Sequence, residues 1–330
     1  MKDIINKILP DNDTKRKWVA IGLTTGISTL LTLWGIYGIG QYGLALFILT
    51  PLFIGAGSSI LFGLKKQISK QDAFQISLLT LGVFTAGLII FAMEGLICIA
   101  MAAPIALLLT WVGSRIGYMI INKSPDKGPP TILILICLIP LTAFFDREEE
   151  PTLSSVVTSI EINADPSTVW KNVVEFPQLA EPTELIFKAG IAYPTDAKIE
   201  GTGVGATRYC NFTTGTFVEP VTVWEEPRLL KFDVAEQPEP MKEIGLWDIN
   251  APHLQDYFVS KEGQFRLVPL PNGKTLLEGT TWYYHKIRPE FYWRIWSNHI
   301  IHKIHQRVLK HIKQNAEINF LEDTNPEGSK

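Results

Sequence analysis

The sequence has few cysteines and little net charge, and each shortage excludes a class of protein. Its three cysteines cannot supply a framework of several disulfides. Cys98 and Cys137 lie in apolar segments, and Cys210 stands alone in the second half of the chain. A net charge of −3 over 330 residues is too small to indicate nucleic-acid binding. We therefore expect neither a disulfide scaffold nor a nucleic-acid partner.

Charged side chains are scarcest in the first half of the chain. Most of the acidic and basic residues lie outside residues 18–145, which consist largely of long apolar runs. The chain length suggests two domains. The predicted parts are a cytoplasmic N-terminal segment at 1–17, a transmembrane block at 18–145, a linker at 146–152, a soluble domain at 153–317 and a flexible tail at 318–330.

The transmembrane block is predicted to contain about five helices. One apolar run begins at Trp18 and another covers about 42–64, and each is long enough to span a bilayer. The run at 74–121 is too long for one crossing, and Glu94 divides it in two. Glu94 then lies in a turn at the membrane interface or acts as a buried functional acid. The fifth segment, 131–145, is short but can still cross.

The placement of basic residues predicts the orientation of these helices. Basic side chains occur in the N-terminal segment and in two of the loops, at Lys65, Lys66, Lys70, Arg115, Lys123 and Lys127. The alternate loops carry none, which puts the N-terminus in the cytoplasm. Five crossings then place the C-terminal domain outside, whereas it is cytoplasmic if 131–145 does not cross. No span contains the charged relay of an ion pump.

The soluble domain reads as a strand, a short helix, several strands and a long helix. Residues 154–162 alternate between polar and apolar, which indicates a strand. Asp165 and Pro166 are suited to the N-cap and first turn of the short helix. Residues 285–317 form an amphipathic pattern with an apolar stripe at Trp293, Ile300, Ile304, Val308 and Ile312. A long helix lying on a curved sheet buries both apolar faces.

Three segments of this domain resemble the SRPBCC superfamily, which includes START-like and polyketide cyclase/dehydrase-like proteins. They are SIEINADPSTVWKNVVEFPQL, GTGVGATRYCNF and WEEPRLLKFDV. The resemblance covers about 153–317 and none of the membrane block. It implies an α+β helix-grip fold, in which a curved antiparallel sheet surrounds a long C-terminal helix and encloses an apolar cavity. It also implies a lipid-like or polyketide-like ligand, but it brings no universal catalytic motif.

Aromatic side chains are dense in this domain and are candidates for lining such a cavity. The candidates are Tyr209, Phe217, Trp224, Phe232, Trp247, Phe265, Trp282, Tyr284, Trp293 and Trp296. The alternative is ordinary core packing. Residues 236–257 interrupt the strand pattern and are either a lid, with Trp247 at the cavity mouth, or a surface loop.

Charged residues and histidines on apolar strands are candidates for catalysis. Arg208, Glu219, Glu278 and His285 lie on such strands, where a buried charge needs a partner. Glu278 with His285 is a candidate acid–base pair. Residues His299, His302 and His305 lack an obvious third metal ligand, so we interpret them as partly exposed helix residues. We expect no metal and no other cofactor.

These observations predict a membrane-anchored protein that binds or transfers an apolar small molecule. Its partners are the lipid bilayer and that ligand. Two alternatives remain open at this stage. One is a cyclase, aromatase or hydrolase that acts on such a ligand. The other is a membrane signalling or assembly protein that uses the soluble domain to bind a partner.

Overall fold

A computed structural model describes residues 9–146, 150–245, 249 and 251–324, with side chains as far as 320. The chain divides into two compact units. The helical unit comprises residues 1–150, 243–252 and 286–291, and the sheet unit comprises residues 151–242, 253–285 and 292–330.

The helical unit consists of helices joined by short turns. Its elements are α1 (Asp13–Leu33) with a π-helix (Trp34–Ile39), a second π-helix (Ala45–Leu49) leading into α2 (Thr50–Gly63), α3 (Lys70–Ile90), α4 (Leu96–Lys123), a 3-10 turn (Pro125–Lys127) and α5 (Gly128–Asp146). Within the described residues, five segments are long and apolar enough to cross a membrane: Asp13–Ile39, Ala45–Gly63, Lys70–Ile90, Leu96–Lys123 and Pro125–Asp146. The predicted number of apolar helices is therefore confirmed, and α5 is longer than the predicted 131–145.

Small residues allow α2 and α4 to pack closely. A Cβ atom on Gly55 would collide with the carbonyl oxygen of Thr110, and one on Gly113 would collide with that of Leu52. Close approach of this kind is how apolar helices gain packing energy in lipid, where no hydrophobic effect drives them together. The Ser77 hydroxyl donates to the Gly55 carbonyl at 2.9 Å and so satisfies its own polar group inside the bundle.

In the part of the chain that the structure describes, the sheet unit contains seven strands and all but the first two residues of a long C-terminal helix. Its elements are β1 (Ser154–Ile162), α6 (Pro166–Val174), α7 (Leu185–Lys188), β2 (Pro194–Glu200), β3 (Thr207–Phe212), β4 (Gly215–Glu225), β5 (Leu229–Asp233), β6 (Phe258–Pro269), β7 (Thr275–His285) and α8 (Glu290–Thr324). The strands form one antiparallel sheet in the order β1-β7-β6-β5-β4-β3-β2. This is the helix-grip arrangement, as the sequence predicted.

The ends of two helices can be compared with the predictions. Asp165 caps α6 as predicted, because its carboxylate accepts from the backbone N–H groups of Ser167 at 2.9 Å and Thr168 at 3.2 Å. The long helix begins at Glu290 rather than at His285, since β7 continues through His285. It extends to Thr324, into the segment predicted as a tail.

The core of the sheet unit lies between α8 and the inner face of the sheet. Helix α6 adds Val169, Trp170 and Val173, and the strands add Leu230 and Leu277. The buried positions of α8 are Trp293, Ile301, Val308, Leu309, Ile312 and Ala316. The predicted stripe was therefore wrong at Ile300 and Ile304, which are only half-buried. Residue spacing alone does not give the rotation of a helix about its own axis. That rotation decides which side of the helix packs against a curved sheet.

Candidate functional site

An ion pair lies inside the sheet unit, on the inner face of two neighbouring strands. Arg208 on β3 is directly opposite Glu219 on β4 in the strand register. Both side chains are buried, and the guanidinium Nη1 donates to Glu219 Oε2. Replacing a buried ion pair by apolar residues is often neutral or stabilising. Stability of the fold alone therefore does not explain why charges occupy this position.

Aromatic rings surround the Arg208 guanidinium. Its Cζ lies 5.6 Å from the centroid of the Phe176 ring, 5.2 Å from that of Phe232 and 5.7 Å from that of Phe265. Ring faces stabilise a cation at these distances. A Cβ atom on Gly263 would collide with the Phe232 ring, so glycine is needed for the ring to reach this position. The result is a charged group held within an aromatic shell.

The charge state of this group follows from its neighbours. Burial opposes the charge on Arg208, but the interactions with Glu219 and, to a smaller extent, with Cys210 together outweigh burial and raise the pKa of the guanidinium. Burial raises the pKa of the Glu219 carboxyl, and Arg208 opposes that effect. Burial also raises the pKa of Cys210, two positions along β3, to about 12, so this thiol stays protonated at neutral pH. Arginine side chains retain their proton in proteins, and Glu219 accepts a hydrogen bond from Arg208, so we assign the contact as an ion pair.

A second polar group joins α8 to the neighbouring strands β1 and β7 of the sheet. The hydroxyl of Thr158 on β1 lies 2.8 Å from Nδ1 of His302 and 3.1 Å from Nδ1 of His305. The Nε2 of His305 lies 2.8 Å from the hydroxyl of Thr281 on β7, and Nε2 of His302 lies 2.9 Å from the Gln306 amide nitrogen. We call Thr158, Thr281, His302, His305 and Gln306 the histidine cluster.

The donors and acceptors of the histidine cluster fit one assignment of protons. The Gln306 amide donates to Nε2 of His302, so the proton of His302 is on Nδ1 and is donated to Thr158. The Thr158 hydroxyl then donates to Nδ1 of His305, whose Nε2–H donates to Thr281. Every bond is made when both imidazoles are neutral. Burial, and then the neighbouring His302, lower the pKa of His305 to about 4, in agreement with this assignment.

The interpretation of the three helix histidines was therefore incomplete. His299 is exposed, as predicted. His302 and His305 instead form hydrogen bonds to strands β1 and β7. Periodicity on a helix cannot reveal a threonine partner that lies about 150 residues earlier in the chain.

Four of the predicted ligand-binding aromatics lie on the inner face of the sheet and pack against the core. They are Phe217, Trp224, Phe232 and Phe265. The Trp224 ring meets the Trp170 ring edge-on with centroids 5.5 Å apart. Trp293 is buried at the start of α8, and Trp296 is half-buried there. These positions are compatible with either a cavity wall or core packing.

Three predicted ligand-binding aromatics lie on the outer face instead. Tyr209 is on the opposite face of β3 from the buried Arg208, and its hydroxyl is near exposed Glu200. The rings of Trp282 and Tyr284 face Lys231 at 5.2 Å and Lys261 at 5.5 Å, on the face opposite buried Tyr283. These three side chains therefore do not face the inner surface of the sheet, because one step along a strand reverses the face.

The predicted acid–base pair is not assembled. Glu278 forms an ion pair with Arg266 on the outer face, at 2.7 Å. His285 is buried at the end of β7, with its ring centroid 6.3 Å from that of Tyr283. An odd number of steps separates the two residues, so they lie on opposite faces and roughly 23 Å apart along the strand. Among these candidates, Arg208 and Glu219 form an ion pair inside the domain.

Part of the predicted lid belongs to the helical unit. The Glu243 carboxylate accepts from the backbone N–H groups of Ile97 and Cys98 at the start of α4, at 3.2 Å each. The Ile244 carbonyl accepts from the N–H of Leu96 at 3.0 Å. This stretch of the loop therefore caps a helix. Trp247 lies outside the described residues, so its role in closing a cavity stays a prediction.

Glu94 lies in the turn between α3 and α4, the first of its two predicted positions. It is buried there as well, at 9 % exposure. Burial raises its pKa to about 8; a hydrogen bond from Tyr42 opposes that effect, and the nearby Glu243 carboxylate adds to it.

Comparison with known proteins gives one family match and several structural similarities. Residues 154–317 match the family model described as "Polyketide cyclase / dehydrase and lipid transport". A search of curated proteins finds no match.

The similar solved structures cover about half of this chain. One is a protein from Nitrosospira multiformis, with 16% identity over 52% of this chain and 99% of that chain, and a TM-score of 0.32. Another is norcoclaurine synthase from Thalictrum flavum in complex with dopamine and hydroxybenzaldehyde, with 16% identity, coverages of 55% and 91%, and a TM-score of 0.33. A third is a protein from Chromobacterium violaceum, with 12% identity, coverages of 49% and 96%, and a TM-score of 0.31.

Proposed function

We propose, on the premise that residues 154–317 belong to the polyketide cyclase/dehydrase and lipid transport family, that the sheet unit binds an apolar small molecule between its sheet and α8. The ligand is lipid-like or polyketide-like. The five apolar helices anchor this binding domain in a membrane. The protein acts in binding or transfer of the ligand.

One observation supports this proposal beyond the family match. The interior of the sheet unit keeps a charged arginine beneath three aromatic rings, although apolar residues would serve packing as well. Binding sites for small molecules commonly combine an apolar wall with a few placed polar groups. The inner face provides both, with Phe217, Trp224 and Phe265 as apolar surface and Arg208 as the polar group.

Binding is favoured over catalysis because the candidate acid and base are separated. Glu278 forms an ion pair with Arg266 on the outer face, whereas His285 lies on the inner face. General acid–base chemistry needs both groups within hydrogen-bond reach of one substrate.

Native mass spectrometry of the full-length protein tests the proposal. The protein, stripped of lipid in detergent, is mixed with a set of long-chain esters, ketones and fatty acids. We expect one molecule to remain bound at collision energies that remove peripheral lipid. Phe265→Ala on the inner face should reduce this adduct several-fold, and the matched outer-face control Trp282→Ala should not. Equal effects of the two variants would contradict the proposal.

A further inference from the structure

The Arg208 guanidinium has a donor that the described residues leave unused. A guanidinium offers five N–H donors in a rigid fork. Nη1 donates to Glu219, whereas the buried Nε has no hydrogen-bond partner within the described residues. Buried donors in native proteins are nearly always paired, and an exception requires an explanation such as a ligand or a water molecule.

The surroundings of Nε restrict which kind of acceptor can form a hydrogen bond with it. The Glu219 carboxylate already balances the positive charge of Arg208. An added carboxylate would bring a second negative charge into a region enclosed by the rings of Phe176, Phe232 and Phe265. Burying an uncompensated charge in apolar surroundings is far more costly than burying a neutral acceptor.

The apolar part of the ligand follows from the same surroundings. Next to the ion pair along the strands lie the buried side chains of Cys210, Val221 and Leu230. The Cys210 thiol is protonated at neutral pH, so it adds no charge. Apart from the ion pair and the Cys210 thiol, which forms a hydrogen bond with the Arg208 guanidinium, this part of the inner face offers apolar surface.

We propose that the ligand of the sheet unit carries an uncharged oxygen acceptor, such as an ester, ketone or ether oxygen, which accepts a hydrogen bond from Nε of Arg208. The inference rests on the proposed function, because it requires a ligand between sheet and α8. The ligand is then an apolar chain or ring system with a neutral oxygen, in preference to a free acid or a pure hydrocarbon.

The test compares three competitors that share one chain: methyl palmitate, palmitate and hexadecane. Full-length protein in lipid nanodiscs is labelled with a diazirine analogue of methyl palmitate, and labelling of peptides from residues 154–317 is quantified. Each competitor gives a half-inhibitory concentration for the parent and for a variant. Each competitor partitions equally into the bilayer around both proteins. The half-inhibitory concentration of the variant divided by that of the parent therefore reports the loss of affinity at the site.

The main variant is the double substitution Arg208→Met with Glu219→Leu. It removes both charges together, because removing one would leave the other buried and unpaired. The second variant, Arg208→Lys, keeps a positive charge beside Glu219 but loses the planar fork that contains Nε. A melting temperature within a few degrees of the parent shows that a variant is folded, and the second variant serves if the first does not fold.

We expect this ratio to be about ten for methyl palmitate in either variant, because each variant loses one hydrogen bond from a charged donor to the ester. The ratio for hexadecane should stay within about twofold, and that for palmitate should stay below that of the ester. Equal ratios for ester and hydrocarbon would overturn the inference and indicate that Nε of Arg208 donates to a water molecule. A largest ratio for palmitate would also overturn it. Failure of every competitor to reduce labelling would overturn the proposed function and the inference with it.

Discussion

Replacing His305 with glutamine should make the stability of the sheet unit less dependent on pH. In the histidine cluster, His305 accepts from Thr158 and donates to Thr281 only when its imidazole is neutral. A protonated imidazole has no acceptor, so protonation breaks the bond from Thr158. Glutamine also offers one acceptor and one donor group, but it does not titrate.

The size of the effect follows from the pKa of His305. Burial and the neighbouring His302 lower this pKa from 6.5 to about 4. Above about pH 6.5 the imidazole is neutral in the folded and unfolded chain alike, so it adds no pH dependence. As the pH falls from about 6.5 to 4, the unfolded chain binds a proton that the folded chain does not. At about 1.4 kcal/mol per pKa unit, the free energy of unfolding falls by about 3 kcal/mol.

Urea unfolding measured at pH 7 and at pH 4 tests this value. Cys210 is buried in the sheet unit, so its reaction with 4,4′-dithiodipyridine reports unfolding of that unit once Cys98 and Cys137 are replaced by serine. Burial also lowers the pKa of His253 and His311, so the parent loses stability from these groups too. The variant should therefore lose about 3 kcal/mol less than the parent.

Replacement of exposed His299 by glutamine is the matched control and should leave the pH dependence of the parent unchanged. If His305→Gln loses as much stability as the parent between pH 7 and pH 4, the proton assignment in the histidine cluster is wrong.

Three further predictions follow from other parts of the molecule. Phe232→Ala should lower the free energy of unfolding of the sheet unit by about 3–5 kcal/mol, because it empties the space above Gly263; a loss below about 1 kcal/mol in urea unfolding would contradict this packing. Glu243→Gln should weaken the cap on α4 by about 0.5–1 kcal/mol and speed amide hydrogen exchange at its first turn; unchanged exchange would exclude the cap. Alkaline phosphatase fused after Lys330 should be active, since the basic residues of alternate loops predict a C-terminus outside the cytoplasm; a well-expressed but inactive fusion would contradict five crossings.

The order of elements was predictable from the sequence because each element carries a local signal. Asp165 and Pro166 mark the start of α6, and long uncharged runs mark the five apolar helices. The pairing of Arg208 with Glu219 was also within reach. Residues Phe212 and Gly215 pair across a two-residue turn. Moving the same number of residues away from the turn along each strand brings Arg208 opposite Glu219.

Other features of the site depend on information that no local pattern contains. Strand β7 has large apolar or aromatic side chains on both faces, including Leu276, Leu277, Trp282 and Tyr283, so alternation alone does not identify the inner face. Phe176 and Phe265 reach Arg208 from two separate parts of the chain. Thr158 and His305 meet only when the first strand packs against the last helix. Each depends on tertiary packing rather than on propensity.

Mapping the sites of photolabelling most directly tests whether the sheet unit binds an apolar molecule. The full-length protein in nanodiscs is irradiated with the diazirine ester, digested and sequenced by mass spectrometry. We expect saturable label on peptides from the inner face, above all those that contain Phe265 or Val308, and we expect methyl palmitate to remove this label. Label confined to the five apolar helices, with none on residues 154–317, would contradict it.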